Sequence, residues 1–247
     1  MKFLRFLALA VTIPTALQGC GKLERNTSLN SRDSGTRPAT ILAFGGNRSC
    51  KPGGDSLPSP LATDMARRLI GMVHLVRSVG RPVEVLTSCF TDPDRVLVSR
   101  NLSSTSQDLD FETLVEQSVS SSDENHSLFI IGHSYGGWIA MRTAERIAAQ
   151  SGKIAGLITI DPISRRECTY TNWDNCRSAP RDLSQESLET IAANSGNWTN
   201  FYQTKTSYLH SSTIVQAHTN TQIDVDHFQI ENHETIWRHL DRIMQEF

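Results

Sequence analysis

A serine between glycines lies in the most distinctive stretch of this chain. Residues Gly132–Gly136 read Gly-His-Ser-Tyr-Gly and match the pattern G-x-S-x-G. The apolar run Leu128–Ile131 precedes them and predicts a strand buried on both faces, whereas the residues from Tyr135 onward predict a helix. A strand, a tight turn and a helix in this order strain the backbone of Ser134 and present its hydroxyl at the carboxyl edge of a parallel sheet.

The hydroxyl of Ser134 is a weak nucleophile at neutral pH. It needs a base within hydrogen-bonding distance and an acid that holds this base in the productive tautomer. The motif and its surroundings resemble the α/β-hydrolase superfamily, in its lipase, esterase and thioesterase branch, from Ala39 to the end of the chain. The resemblance implies that nucleophile, acid and histidine follow one another in this order along the sequence.

The acid of this superfamily follows one of two strands downstream of the serine. The later of these strands is predicted at Trp198–Gln203, but no Asp or Glu occurs from Ile191 through Ile223. The resemblance therefore implies Asp161, at the carboxyl end of the strand that follows the helix. The alternative is that Asp161 only begins a turn before a proline, as aspartate often does.

The histidine of the superfamily lies between the last strand and the closing helix. His227, in the segment Asp226–Ile230, resembles this histidine loop and is the favoured base. His233 lies near the start of the predicted last helix, which it can instead cap, and His218 comes slightly early, at the end of a predicted strand. His133, inside the motif itself, is interpreted as a packing residue.

Acyl transfer also needs hydrogen-bond donors for the oxyanion. The resemblance implies the backbone N–H of Tyr135, the residue after the serine, as one donor. The second donor is expected in the loop after the first strand, from the backbone N–H of Gly46 or Asn47. Each donor of this kind stabilises the transition state by roughly 3 kcal/mol.

Alternating strands and helices must position these residues. Six strands are predicted, at residues 39–44, 82–86, 128–131, 154–160, 198–203 and 213–217. Helices are predicted at residues 61–79, 109–119, 135–150, 183–193 and 233–247. This alternation predicts an α/β fold with a mostly parallel six-stranded sheet and helices on both faces. Residues 96–98 are an alternative short edge strand, whereas the polar run 99–108 favours a loop.

The amino-terminal segment predicts export and a lipid anchor. Two basic residues precede an apolar run, and Leu17-Gln18-Gly19-Cys20 resembles the lipobox of bacterial lipoproteins. The resemblance implies a signal peptide over residues 1–19, acylation of Cys20, a polar membrane tether over residues 20–38, and a hydrolase-like domain over residues 39–247. It also implies the bacterial cell envelope, at the periplasmic side of the outer membrane. An ordinary secretory signal is the alternative.

Four cysteines remain once Cys20 is assigned to the lipid. An even number in a chain expected to be exported predicts two disulfides. We favour Cys50–Cys89, because these residues follow two strands expected to be neighbours, and Cys168–Cys176, which would close one short loop. Free thiols are the alternative, and the spacing does not match common zinc-ligand patterns.

Charge and composition narrow the possible partners. The chain has 24 Lys and Arg against 26 Asp and Glu, and no basic run indicates a nucleic-acid partner. No stretch is long enough to predict a membrane-spanning helix. No metal or cofactor is expected, since Asp224, Asp226, His227 and His233 form only a loose polar cluster.

These features together predict a carboxylic-ester hydrolase that acts on a small-molecule or lipid ester or thioester. The predicted insertion Ile163–Asp182 carries Tyr170 and Trp173, which would line an entrance, although a disulfide-stapled surface loop explains it equally well. It lacks the long amphipathic helix of a lipase lid, which favours substrates of modest size. An acyltransferase with the same three residues and a non-catalytic envelope binding protein are the alternatives.

Overall fold

A mostly parallel β-sheet forms the centre of the fold in this computed structural model. The structure describes residues 37–46, 51–52, 58–59, 82–92, 95–101, 106–120, 125–164, 183–205 and 211–246, together with residues 65, 68, 69, 71, 72, 122 and 209. The strands are β1 Ala39–Phe44, β2 Lys51–Pro52, β3 Pro58–Ser59, β4 Val83–Asp92, β5 Arg95–Arg100, β6 Gln107–Asp110, β7 Ser127–His133, β8 Gly156–Ile160, β9 Trp198–Tyr202 and β10 Thr219–Gln222. The helices are α1 Phe111–Ser120, α2 Tyr135–Ala149, α3 Gln185–Asn194 and α4 Glu234–Glu246, with a 3₁₀ helix at Ile230–Asn232.

The main sheet has eight strands in the order β10-β9-β8-β7-β1-β4-β5-β6. The six strands from β10 to β4 are parallel, and β5 and β6 extend the sheet in antiparallel pairings. Because parallel strands end at the same edge, the residues that follow β1, β7, β8 and β9 lie close together. The short strands β2 and β3 form a separate antiparallel pair.

Strand β7 shows how the two faces of the sheet are covered. Leu128 and Ile130 point into one apolar cluster, which includes residues of α2 and α3. Phe129 and Ile131 point into a second cluster, which includes residues of α4. All seven residues of β7 are buried, as expected for a parallel strand with helices on both sides.

The prediction of a six-stranded sheet is wrong, because the main sheet has eight strands. Residues 95–100 and 107–110 are strands rather than mostly loop, because the first segment pairs with β4 and the second pairs with the first, and because Val96 and Val98 are buried. Residues 213–217 form no strand, and the last strand is the polar β10. Ile214 and Ala217 are buried although their backbone is irregular, so the apolar residues of this segment do not indicate a strand. The second predicted strand continues to Asp92, since its later half pairs with β5.

The helix predicted at residues 61–79 is described only in part. Residues 65, 68, 69, 71 and 72 are helical. Met65, Leu69 and Met72 are buried, as their spacing predicts. Val73 and Val76, which were expected on the same face, lie outside the described residues.

One cysteine of the predicted disulfides lies in the main sheet. Cys89 is buried within β4 and is disulfide-bonded. Cys50, Cys168 and Cys176 lie outside the described residues, so the pairing stays a prediction. The predicted signal peptide, Cys20 and nearly all of the tether also lie outside them. Within the described part of the chain, no helix is long and apolar enough to cross a bilayer.

Candidate functional site

Ser134 occupies a strained turn between β7 and α2. Its φ is 57° and its ψ is −126°, a conformation that residues other than glycine rarely adopt. The backbone N–H of Ser134 donates to the carbonyl of Ile160 at 2.9 Å, and the Ser134 carbonyl accepts from Gly137 N–H at 2.9 Å. The turn is thus held between the end of β8 and the first turn of α2, which fixes the position of the hydroxyl.

Close backbone packing explains the glycines on both sides of Ser134. A Cβ atom on Gly132 would lie 2.1 Å from the carbonyl oxygen of Gly136, and one on Gly136 would lie 2.3 Å from the carbonyl oxygen of Phe44. Both distances are far below van der Waals contact. The start of α2 therefore packs directly against the end of β1, and no side chain fits between them.

The structure brings Ser134, Asp161 and His227 together in one line of hydrogen bonds. His227 Nδ1 lies 2.6 Å from Asp161 Oδ2, and His227 Nε2 lies 2.8 Å from Ser134 Oγ. Because Nδ1 faces a carboxylate, it carries the ring proton and donates it. Nε2 is then free of its proton and accepts the hydrogen bond of the Ser134 hydroxyl.

Asp161 is completely buried directly after β8 and has a φ of 42°. Its Oδ1 accepts from Ser211 Oγ at 2.6 Å, from Ser211 N–H at 3.0 Å and from Gln203 N–H at 3.3 Å. Its Oδ2 accepts from Gln203 Nε2 at 2.8 Å in addition to His227. Burial by itself raises the pKa of the Asp161 carboxyl, but the hydrogen bonds from His227, Ser211 and Gln203 outweigh it and hold the pKa below its ordinary value.

His227 is presented by a turn that Asp226 stabilises. Asp226 Oδ1 accepts from the backbone N–H of Phe228 at 2.8 Å and of Gln229 at 3.0 Å. The ring of His227 is buried at 3% exposure. Burial lowers the pKa of His227, the hydrogen bond to Asp161 opposes this, and the nearby His133 adds to the lowering, so that the pKa lies below its ordinary value. The imidazole is therefore neutral at neutral pH, as a proton acceptor must be.

The other candidate bases have different roles. His233 Nδ1 accepts from the backbone N–H of Thr235 at 3.3 Å, at the start of α4, as expected for a helix cap. His218 Nδ1 accepts from the backbone N–H of Trp198 at 2.8 Å.

Asp224, a member of the loose polar cluster near His227, is almost fully exposed and lies 3.9 Å from Lys205. Among the described residues, no group of three or more potential metal ligands comes together.

The predicted oxyanion donors are described in part. Tyr135 is the buried first residue of α2 and directly follows Ser134. Gly46 lies beside the serine, because a Cβ atom on Gly46 would be 3.1 Å from Ser134 Cβ. Asn47 and most of the predicted insertion, residues 165–182, lie outside the described residues. Phe228, at 64% exposure, packs edge-on against the His227 ring.

Sequence reasoning missed the residues that surround this line of hydrogen bonds. Gln203 and Ser211 carry no motif, although both donate hydrogen bonds to Asp161. The interpretation of His133 as a packing residue is incomplete, because its buried ring pairs with Glu231, with Nδ1 3.0 Å from Oε2. The position of His133 beside the serine was a signal for proximity, but nothing in the sequence linked it to Glu231.

Comparisons with known proteins add context to this geometry. No family model matches the chain, and no curated protein matches it. Among solved structures, an esterase from Pyrococcus furiosus is similar with 11% identity, a TM-score of 0.48 and coverage of 85% of this chain and 82% of that one. A serine hydrolase without a lid from Xanthomonas campestris is similar with 16% identity, a TM-score of 0.42 and coverage of 87% and 83%. An esterase from Pyrobaculum calidifontis is similar with 14% identity, a TM-score of 0.42 and coverage of 86% and 78%. Likenesses of this size carry no argument about activity, which has to come from the site itself.

Proposed function

We propose that this chain is a serine hydrolase of the α/β-hydrolase fold that cleaves a carboxylic ester or thioester through an acyl-enzyme intermediate. The observation that carries the proposal is the line of hydrogen bonds from Asp161 through His227 to Ser134, at 2.6 and 2.8 Å. The strained turn adds support, since backbone strain of this kind clusters at functional sites.

In the proposed reaction, Ser134 Oγ attacks the carbonyl carbon of the substrate while its proton passes to His227 Nε2. The new C–O bond converts the carbonyl into a tetrahedral oxyanion. His227 then gives this proton to the leaving alcohol or thiol as the bond to it breaks, which leaves the acyl group on Ser134. A water molecule repeats both steps, with His227 as base and then as acid, and releases the acid product.

Asp161 would support both halves of this reaction. Its hydrogen bond keeps the proton of neutral His227 on Nδ1, and its charge stabilises the imidazolium that forms after proton transfer. The backbone N–H groups of Tyr135 and of Gly46 or Asn47 are the proposed oxyanion donors. The close approach of Gly46 to Ser134 supports this part of the proposal, because a side chain at position 46 would crowd the nucleophile.

Reaction with a fluorophosphonate probe tests the proposed nucleophile. We expect the wild-type protein to be labelled and to hydrolyse nitrophenyl esters, with the chain-length profile defining the acyl preference. The Ser134→Ala variant should lose labelling and at least about 10³-fold in kcat. Ser151→Ala is a matched control, because Ser151 also has a positive φ, of 63°, but lies at the far end of α2. Equal labelling of wild type and Ser134→Ala would refute the assignment.

We further propose that the enzyme is attached to a bacterial envelope membrane through acylated Cys20. This part of the proposal rests on the sequence alone, on the apolar leader and the lipobox-like residues that end at Cys20. A Cys20→Ser variant should move from the membrane fraction to the soluble fraction. If the variant stays in the membrane fraction, the anchor lies elsewhere.

A further inference from the structure

A second histidine and carboxylate pair lies next to His227. His133, the last residue of β7, is buried at 7% exposure. Its Nδ1 lies 3.0 Å from Glu231 Oε2, and its Nε2 lies 3.1 Å from the backbone carbonyl oxygen of His227. Both partners are hydrogen-bond acceptors when Glu231 is ionised. A neutral imidazole has only one N–H donor, so making both hydrogen bonds requires the doubly protonated imidazolium.

Both hydrogen bonds of His133 end on the segment that presents His227. Glu231 belongs to the 3₁₀ helix Ile230–Asn232, which directly follows the His227 turn. The rings of His133 and His227 are 5.1 Å apart between centroids and tilted by 31°. His133 thus approaches His227 in two ways. It donates a hydrogen bond to the backbone carbonyl of His227, and its ring lies next to the His227 ring.

The charges around His133 agree with an ion pair. Burial lowers the pKa of His133, but the hydrogen bond and charge of Glu231, with a smaller contribution from Asp161, raise it above its ordinary value. Burial raises the pKa of the Glu231 carboxyl, and the contact with His133 outweighs this and lowers it. Among the described residues, the titratable groups that act on His227 include His133 at the end of β7, Asp161 after β8 and Glu231 in the 3₁₀ helix.

We propose that His133 and Glu231 form a buried imidazolium–carboxylate pair that positions the His227 segment and keeps His227 unprotonated under mildly acidic conditions. The inference rests on the proposed function, because it assigns His133 and Glu231 as positioning residues for the same reaction. The positive charge of His133 repels a proton on His227, so the base stays available as the pH falls. The same charge makes the His227 imidazolium a stronger acid toward the leaving group.

Two variants separate the charge of the pair from its shape. His133→Gln keeps an N–H donor near the position of Nε2 but removes the positive charge and leaves the Glu231 carboxylate in place. Glu231→Gln keeps an oxygen acceptor for His133 but removes the negative charge that holds the imidazolium. His227 should therefore be protonated more readily in His133→Gln than in Glu231→Gln, because only the first leaves an uncompensated negative charge nearby.

The profile of kcat/KM against pH measures this effect on a nitrophenyl ester. Between pH 8 and pH 6, we expect His133→Gln to lose at least about tenfold more kcat/KM than the wild type loses, given two charges about 5 Å apart. Over the same pH range, Glu231→Gln should lose only about threefold more kcat/KM than the wild type loses. His126→Gln is the matched control, because His126 lies just before the opposite end of β7, where it bonds Thr40 at 2.8 Å. A uniform loss of rate at every pH, without a changed profile, would mean that the pair is only structural and would overturn the proposal.

Histidine side-chain ¹⁵N NMR of the full-length wild-type protein measures the protonation of each ring nitrogen directly. This measurement requires neither an active enzyme nor a variant that folds. At pH 7 we expect two protonated nitrogens on His133 and one on His227. A neutral His133 at pH 7 would overturn the inference even if the enzyme is active. If the NMR result holds but the fluorophosphonate does not label Ser134, the pair exists and the proposed function is what fails.

Discussion

Replacing Asp161 by asparagine has consequences that the hydrogen bonds of its carboxylate define. Three donors meet Oδ1, and two of them are backbone N–H groups, of Ser211 and Gln203. Because backbone N–H groups have a fixed orientation, the oxygen of the new amide must occupy the Oδ1 position and accept their hydrogen bonds. Its NH₂ group then occupies the Oδ2 position, where it faces His227 Nδ1 and Gln203 Nε2.

The side chain of Gln203 cannot rotate to accommodate this NH₂ group. Its Nε2 also donates to the carbonyl of Leu209, and its Oε1 accepts from the backbone N–H of Lys205 at 2.8 Å. Two N–H₂ groups therefore face each other in a buried site, which costs about 1–3 kcal/mol for each unsatisfied donor. With the loss of the charge-assisted hydrogen bonds, we expect the free energy of unfolding to fall by about 2–4 kcal/mol.

The effect on activity is larger than the effect on stability. The new NH₂ group donates to His227 Nδ1, which moves the ring proton to Nε2. That nitrogen then points an N–H at Ser134 Oγ and cannot accept the serine proton. The loss in kcat expected for this wrong tautomer is about 10⁴-fold, or about 5 kcal/mol of transition-state stabilisation.

Steady-state hydrolysis of a nitrophenyl ester at pH 8 measures the kcat of Asp161→Asn, and urea unfolding of the same sample measures its stability. Asp224→Asn is the matched control, because the side chain of Asp224 is 95% exposed and pairs only loosely with Lys205. This control should keep both its kcat and its free energy of unfolding. If folded Asp161→Asn keeps kcat within tenfold of the wild type, Asp161 does not set the tautomer of His227, and the reasoning is refuted.

Two further predictions concern the stability of the fold. Gly136→Ala places a Cβ atom 2.3 Å from the Phe44 carbonyl oxygen and should reduce the free energy of unfolding by about 3 kcal/mol or more. A Cβ atom on Gly71 would meet no atom of the described residues within 4 Å beyond its own helix, so Gly71→Ala should be neutral or stabilising by up to about 1 kcal/mol. Urea unfolding compares the two, and equal effects would contradict the close packing of α2 against β1. Because the folded state lowers the pKa of Asp161, its contribution to stability is present above its ordinary value of about 4 and is lost as the pH falls through the lower folded value. The difference in free energy of unfolding between the wild type and Asp161→Asn should therefore shrink toward pH 2, and a difference that stays constant from pH 6 to pH 2 would contradict this.

The central strands could be predicted because they are buried on both faces. β1, β7 and β8 are short, mostly apolar runs rich in β-branched residues, which is typical of parallel strands that are buried on both faces. The edges of the sheet could not be predicted in the same way. β6 and β10 are polar and partly exposed, so only their pairing with a neighbour makes them strands. Ile214 shows the opposite error. Its apolar side chain led to the prediction of a strand, but the residue is buried in irregular backbone.

The three residues in the line of hydrogen bonds could be found from the sequence because each lies next to a recognisable element. Ser134 has its motif, Asp161 ends an apolar strand, and His227 precedes the closing helix. The residues that tune them could not be found, because their contacts join segments far apart in the chain. Ser211 meets Asp161 across 50 residues, and His133 meets the His227 carbonyl across 94. No periodicity connects residues over such distances.

The presence of an amide rather than a carboxylate at position 203 has a physical reason in the structure. Gln203 follows β9, where the superfamily resemblance allows an acid, and its Nε2 lies 2.8 Å from Asp161 Oδ2. A carboxylate at position 203 would face the Asp161 carboxylate at the same distance in a completely buried site, and two such groups cannot both ionise. One of them would take up a proton, and Asp161 would lose the charge that orients His227. An amide has nearly the same shape and donates a hydrogen bond instead. The glutamine therefore does more than occupy the position, because its N–H group is part of what keeps Asp161 ionised.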